Sequence, residues 1–244
     1  MVKKVLVITG LCILAGYLVF AAAYFEEKPK EQICSHFEIV SNDDEDSNLV
    51  DVDEIEKYVD SKGLNPYGKP IKEINTYEIE QAIVANPMVK AVEVFVTSNG
   101  GVRAIVKNRK PVLRIIDSSG ANYYIDKEGE KVPLSKSFVA DLPLATGNIK
   151  EDFAKGELKD FAVFLRKDKF WDSQIGQIVV MSNHELKLVP NIGSHEIILG
   201  KLDNYEEKLD KLKTFYKKGL PETGWNRYSV INLKYDKQVV CTKR

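Results

Sequence analysis

The sequence predicts an α+β protein in three parts: an N-terminal transmembrane helix, a β-α-α-β-β domain, and a mainly antiparallel β domain with helices. Three observations carry this reading. An uncharged run extends from Val5 to Phe25; two capped amphipathic helices lie among alternating strands over residues 36–109; and many short strands with two helical stretches fill residues 110–244. Hydrophobic content of 44% and charged content of 29% over 244 residues are near globular averages, so most of the chain should fold. A formal net charge of -1 lacks the basic excess of a nucleic-acid binder and argues against that class.

As a helix, residues 5–25 would span roughly 31 Å, the thickness of a bilayer core, with every backbone group bonded internally. Residues 1–4 then read as a short cytoplasmic tail. Lys3 and Lys4 lie before the run and Glu26 and Glu27 after it, so the positive-inside rule puts the N-terminus in the cytoplasm and the bulk of the chain across the lipid bilayer. The small residues Ala21-Ala22-Ala23 leave a cleaved signal peptide as the rival reading, which exports the remainder equally. Residues 26–35 read as a polar stalk. Cys34 and Cys241 stand at opposite ends of the part beyond the run, and the plain reading is two unpaired thiols.

Within 36–109, Phe37 to Val40 alternate as a strand, and the acidic run Asp43-Asp44-Glu45-Asp46 reads as a solvated loop without calcium-loop spacing. Asp51 caps a helix with Glu54 at its third position, its inner face formed by Val52, Ile55, Tyr58 and Val59. Asn75 and Glu78 open a second helix that buries Ile79, Ala82 and Ile83 and stops before Pro87. Val92, Val94 and Val96, then Val102, Ala104 and Val106, alternate as two strands joined by the hairpin turn Ser98-Asn99-Gly100-Gly101.

From residue 110 onward, strands are expected at Val112–Ile116, Asn122–Ile125, Ile175–Met181, Glu185–Val189, Glu196–Leu199 and Tyr228–Cys241. One helix near 151–168 should bury Leu158, Phe161, Ala162 and Leu165. Another, from Asn204 to Lys218, should bury Tyr205, Leu209, Leu212 and Tyr216 and end at Gly219 before Pro221.

The chemistry-bearing residues are sparse. His184-Glu185 and His195-Glu196 lack the second His of a zinc-protease helix, and both histidines read as exposed polar positions. No phosphate loop, dinucleotide fingerprint or nucleophile elbow is present, so no catalytic, metal or cofactor site is expected. Binding is the better prospect. The terminal strand Tyr228–Tyr235 would turn Ile231, Leu233 and Tyr235 inward and Tyr228, Val230, Asn232 and Lys234 outward. As an edge strand, it offers unpaired backbone groups to an extended partner, with those four residues as the partner-binding candidates.

Several stretches together resemble the bacterial cell-division family FtsQ/DivIB. They are Ile74–Glu80 leading to Asn86-Pro87-Met88-Val89-Lys90-Ala91-Val92-Glu93-Val94; Val106–Ile115; Tyr123-Tyr124-Ile125-Asp126-Lys127-Glu128-Gly129; and the closing Val230–Tyr235. Order and spacing carry the resemblance, since each motif alone is modest. It implies a POTRA domain at 36–109 and a β domain at 110–244. It also implies a non-enzymatic divisome scaffold at the inner membrane and division septum, its bulk periplasmic, holding FtsB/FtsL-type partners and helping control septal peptidoglycan synthesis. In that family the C-terminal strand region takes up the FtsB-like partner by strand addition. The alternative is an outer-membrane or secretion accessory protein whose POTRA-like module binds extended chains.

Overall fold

A computed structural model describes residues 2–27, 32–41, 50–135 and 139–244. The chain divides into two compact units, Met1–Asn108 and Arg109–Arg244.

The first unit opens with α1 (Val2–Glu27). Among the described residues, no helix is long and apolar enough to cross a membrane, so the transmembrane helix expected at 5–25 is corrected. The acidic run Asp43–Asp46 and the stalk residues Lys28–Glu31 lie outside the described residues. Residues 32–35, expected to finish that stalk, are instead bonded into the unit: Cys34 N–H donates to the Lys69 carbonyl at 2.9 Å and Ile71 N–H to the Gln32 carbonyl at 2.8 Å.

The elements that follow are β1 (Phe37–Ser41), α2 (Val52–Ser61), α3 (Thr76–Val84), β2 (Val89–Val96) and β3 (Val102–Asn108). Asp51 caps α2 by accepting the Asp53 N–H, while Ile55 and Val59 are buried. Tyr58, expected inside, is 41% exposed. At α3 the reciprocal cap forms as its local sequence requires: Asn75 Oδ1 accepts the Glu78 N–H and Asn75 Nδ2 donates to Glu78 Oε1. Ile79 and Ile83 of α3 are buried, Ala82 only half so. The sheet order is β1-β3-β2, with β1 parallel and β2 antiparallel to β3. Gly100, at φ 80, closes the hairpin in the left-handed conformation that glycine adopts without steric cost.

The second unit contains β4 (Pro111–Asp117), β5 (Asn122–Asp126), β6 (Lys131–Val132) and β7 (Leu144–Gly147). A helical run follows: α4 (Glu151–Phe153), a π turn over Ala154–Leu158, α5 (Lys159–Lys167) and α6 (Lys169–Gln174). Next come β8 (Ile175–Val180), β9 (Leu186–Pro190), β10 (Glu196–Gly200), α7 (Tyr205–Thr214), α8 (Leu220–Thr223), β11 (Tyr228–Asn232) and β12 (Val240–Lys243). Among the described residues they build a 9-stranded sheet of order β12-β11-β10-β9-β8-β7-β4-β5-β6. The sheet is more mixed than expected, since β4–β7, β7–β8 and β10–β11 are parallel pairs. The helices cover one face, where Leu158, Phe161, Ala162 and Leu165 pack with Leu209, Leu212 and Tyr216 over Ile178, Leu188, Ile197 and Ile231.

Three local readings change. Strand β7, absent from the sequence reading, sits mid-sheet. The helix expected to end at Gly219 continues through a second π turn (Phe215–Gly219) into α8, since Pro221 is tolerated in a first helical turn and Leu220 is drawn into the core. The long terminal strand is two strands, β11 and β12, reversed by a turn in which Lys237 takes φ 55.

Candidate partner-binding edge

The outer strand of the large sheet at its C-terminal end is β12, not β11. Strand β11 lies between β10, to which it is parallel, and β12, to which it is antiparallel. The expectation that Tyr228–Tyr235 forms the edge is therefore corrected: the chain folds back after Tyr235 and covers its own strand.

Backbone parity shows which groups are spent. The Leu233 N–H donates to the Ile198 carbonyl, so Ile231 and Leu233 face β10, and Val230 and Asn232 face β12. Val230 pairs with Thr242 and Asn232 with Val240. Beyond them the Arg244 N–H donates to the Arg227 carbonyl, which sets Arg244, Thr242 and Val240 toward β11 and turns the backbone of Cys241 and Lys243 outward.

The four candidate side chains do not act as one face. The register slips between Tyr228 and Val230, and this bulge rotates Tyr228 onto the core side, where its ring lies 5.9 Å from that of Phe215. Val230 and Asn232 stay on the opposite face, in line with Thr242 and Val240. Lys234 leaves the edge altogether: it lies over Gly200 and bonds Glu185 at 2.7 Å, and that bond holds the Glu185 carboxyl below its usual range. Tyr235, expected in the core, is 49% exposed.

Beside the start of β12 a groove of about 520 Å³ runs between α7 and the turn, with Phe215 and Val239 among its walls and Lys211, Lys218 and Lys237 around them. The other end of the sheet differs. Strand β6 is two residues long, and its Lys131 is tied to Glu151 at 2.8 Å; hydrogen bonds from Lys131 and then Lys155 bring Glu151 down to about 2.

The histidines are not the exposed positions expected. His195 is 3% exposed, with Nε2 at 2.5 Å from the Tyr216 hydroxyl and a buried Nδ1 that has no hydrogen-bond partner among the described residues. Burial, and then the charge of Arg244, lowers its pKa, while burial raises that of Tyr216. Arg244 reaches the Ser194 carbonyl at 2.6 Å, tying the chain's last residue beside His195. His184 is half-buried, edge-on to Phe153 at 4.9 Å. Among the described residues no group of His, Cys, Asp and Glu is placed to hold a metal ion, and Cys34 and Cys241 are both free. The Asp126-Lys127-Glu128-Gly129 motif is a turn built on one buried carboxylate: Asp126 accepts the Glu128 and Glu130 N–H groups and pairs with Arg109 at 2.9 Å.

Sequence reasoning missed β12 as the edge. The signal was the polar Asp236-Lys237-Gln238 step between two apolar stretches, which reads as a reversal once Tyr235 is taken as outside the core.

Comparison with known families gives two matches. Residues 32–107 match a POTRA-like domain, and residues 110–242 match the domain described as FtsQ/DivIB, C-terminal related. No curated protein matches the chain. The family's members are non-enzymatic scaffolds that work through protein–protein contacts in the division machinery, which gives this chain a general role as a cell-division scaffold. With more than half of its length inside that second match, the chain belongs to the FtsQ/DivIB family.

Proposed function

We propose that this scaffold holds FtsB/FtsL-type partners at the division septum, helps control septal peptidoglycan synthesis through them, and takes up its main partner by strand addition on β12. One observation carries the reading: the outward backbone of Cys241 and Lys243 ends a large, well-buried sheet, and among the described residues nothing bonds to it. Of the candidates named from sequence, Val230 and Asn232 contribute the face that a partner strand would extend, through Thr242 and Val240. Tyr228 supports β12 from the core side, and Lys234 serves a neighbouring ion pair.

The test is binding of the chain to an FtsB-type peptide, wild type against Lys243→Pro. Proline there removes an outward N–H without touching the ladder to β11. Binding should weaken about tenfold, the value of one well-made hydrogen bond, while the melting temperature holds. Unchanged binding by a variant that melts normally would place the partner elsewhere.

A further inference from the structure

The POTRA-like unit has an edge strand as well, and it is occupied. In β2 the Thr97 N–H donates to the Gly101 carbonyl and Val94 lies opposite Ala104, so Val92, Val94 and Val96 turn their backbone groups away from β3. At the middle of that row, the Val94 N–H donates to Oε1 of Glu80 at 2.9 Å, from the helix α3 packed on the sheet. Glu80 is half-buried and lies 14 residues back in sequence. A second irregularity lies nearby: the register slips between Val89 and Ala91, a bulge that twists the start of the strand. Phe95 and Val96, each 40% exposed, leave the far half of the strand apolar at its surface. Apolar side chains beside a row of outward backbone groups make a template for pairing with an identical strand. A carboxylate at the centre of that row blocks it twice, by taking the donor and by placing a charge where the incoming carbonyl would sit.

We propose that Glu80 is an edge guard, an autoinhibitory contact that keeps β2 from pairing with β2 of a second copy of this chain. The inference is independent of the partner reading for β12, since it concerns a different strand in a different unit.

The test is residue-resolved amide hydrogen exchange on the full chain, paired with sedimentation. In the wild type the Val94 amide should exchange about tenfold more slowly than those of Val92 and Val96. Glu80→Ala should bring all three to the same rate and raise self-association at a given concentration. Adding Val96→Lys to that variant should reverse the association, locating it at this edge. Glu80→Gln, which keeps an acceptor oxygen, should keep Val94 slow and association at the wild-type level. A wild-type Val94 amide as fast as its two neighbours would overturn the proposal whatever the variants do. So would a Glu80→Ala chain whose Val94 amide is freed while its sedimentation stays that of the wild type.

Discussion

Two edge strands of this chain, β2 and β12, solve the same problem in opposite ways. Both present outward backbone groups at alternate positions, and both belong to sheets covered by helices on one face. At β2 the central donor is taken by the Glu80 carboxylate and the strand starts on a bulge. At β12 the irregularity lies inward, between Tyr228 and Val230 on the neighbouring strand, and serves to seat Tyr228 on Phe215. A closed edge is one whose neighbouring helix sends a charge to it. At the open edge no helix side chain is seen to take the outward backbone among the described residues, and two nearby charges are engaged elsewhere, Lys234 by Glu185 and Arg244 by Ser194.

The largest effect should come from the strand beneath the open edge. Ile231 is fully buried between β10 and β12, and Ile231→Ala should cost about 2–5 kcal/mol through the cavity left behind. Denaturant unfolding would measure it, and partner binding should fall with stability. A substitution on the edge itself should separate the two. Val240 is 40% exposed, so Val240→Ala should cost under ~0.5 kcal/mol of stability yet weaken an FtsB-type peptide several-fold. Equal binding would confine recognition on β12 to the backbone.

A pH dependence should mark the open edge's anchorage. Burial, and then Arg244, hold the His195 pKa below its ordinary 6.5. The unfolded chain therefore takes up a proton at a pH where the folded chain does not. The stability associated with neutral His195 is complete above about pH 6.5, falls as pH drops below that, and levels off under the folded pKa. The groups facing it are the Tyr216 hydroxyl, whose oxygen can accept from a ring N–H, and the Arg244 guanidinium, which has no acceptor and whose charge opposes that of a protonated ring. Denaturation midpoints at pH 8 and pH 5.5 should differ more for the wild type than for His195→Gln. Smallest of all should be Lys234→Ala, which breaks a solvent-exposed ion pair and should move the melting temperature by about 2 °C at most.

What the sequence made legible was local or periodic. Asn75 and Glu78 cap α3 across one turn, and Leu158, Phe161, Ala162 and Leu165 share a face because their spacing follows the helix. The misses depend on distant partners. Strand β7 is four residues long and is stabilised by parallel neighbours on both sides, contributions that appear only when β4 and β8 are in place. Tyr228 changes face through a one-residue slip, which strict alternation cannot anticipate. The fold-back at Lys237 uses a left-handed residue that is not glycine, so the sequence pattern continues one strand from Tyr228 to Cys241 and puts the edge one strand too far in. The transmembrane reading of residues 5–25 rested on an uncharged run of bilayer length between Lys3-Lys4 and Glu26-Glu27, and among the described residues no helix is long and apolar enough to bear it out.

The contrast between the two edges is tested most directly by amide exchange on the chain with and without a saturating FtsB-type peptide. The Cys241 and Lys243 amides, exposed in the free chain, should become protected in the complex while the Val94 amide exchanges at one rate in both. Protection at Val92 and Val96 with Cys241 and Lys243 unchanged would contradict it, because the partner would then be pairing with the edge that Glu80 is held to close.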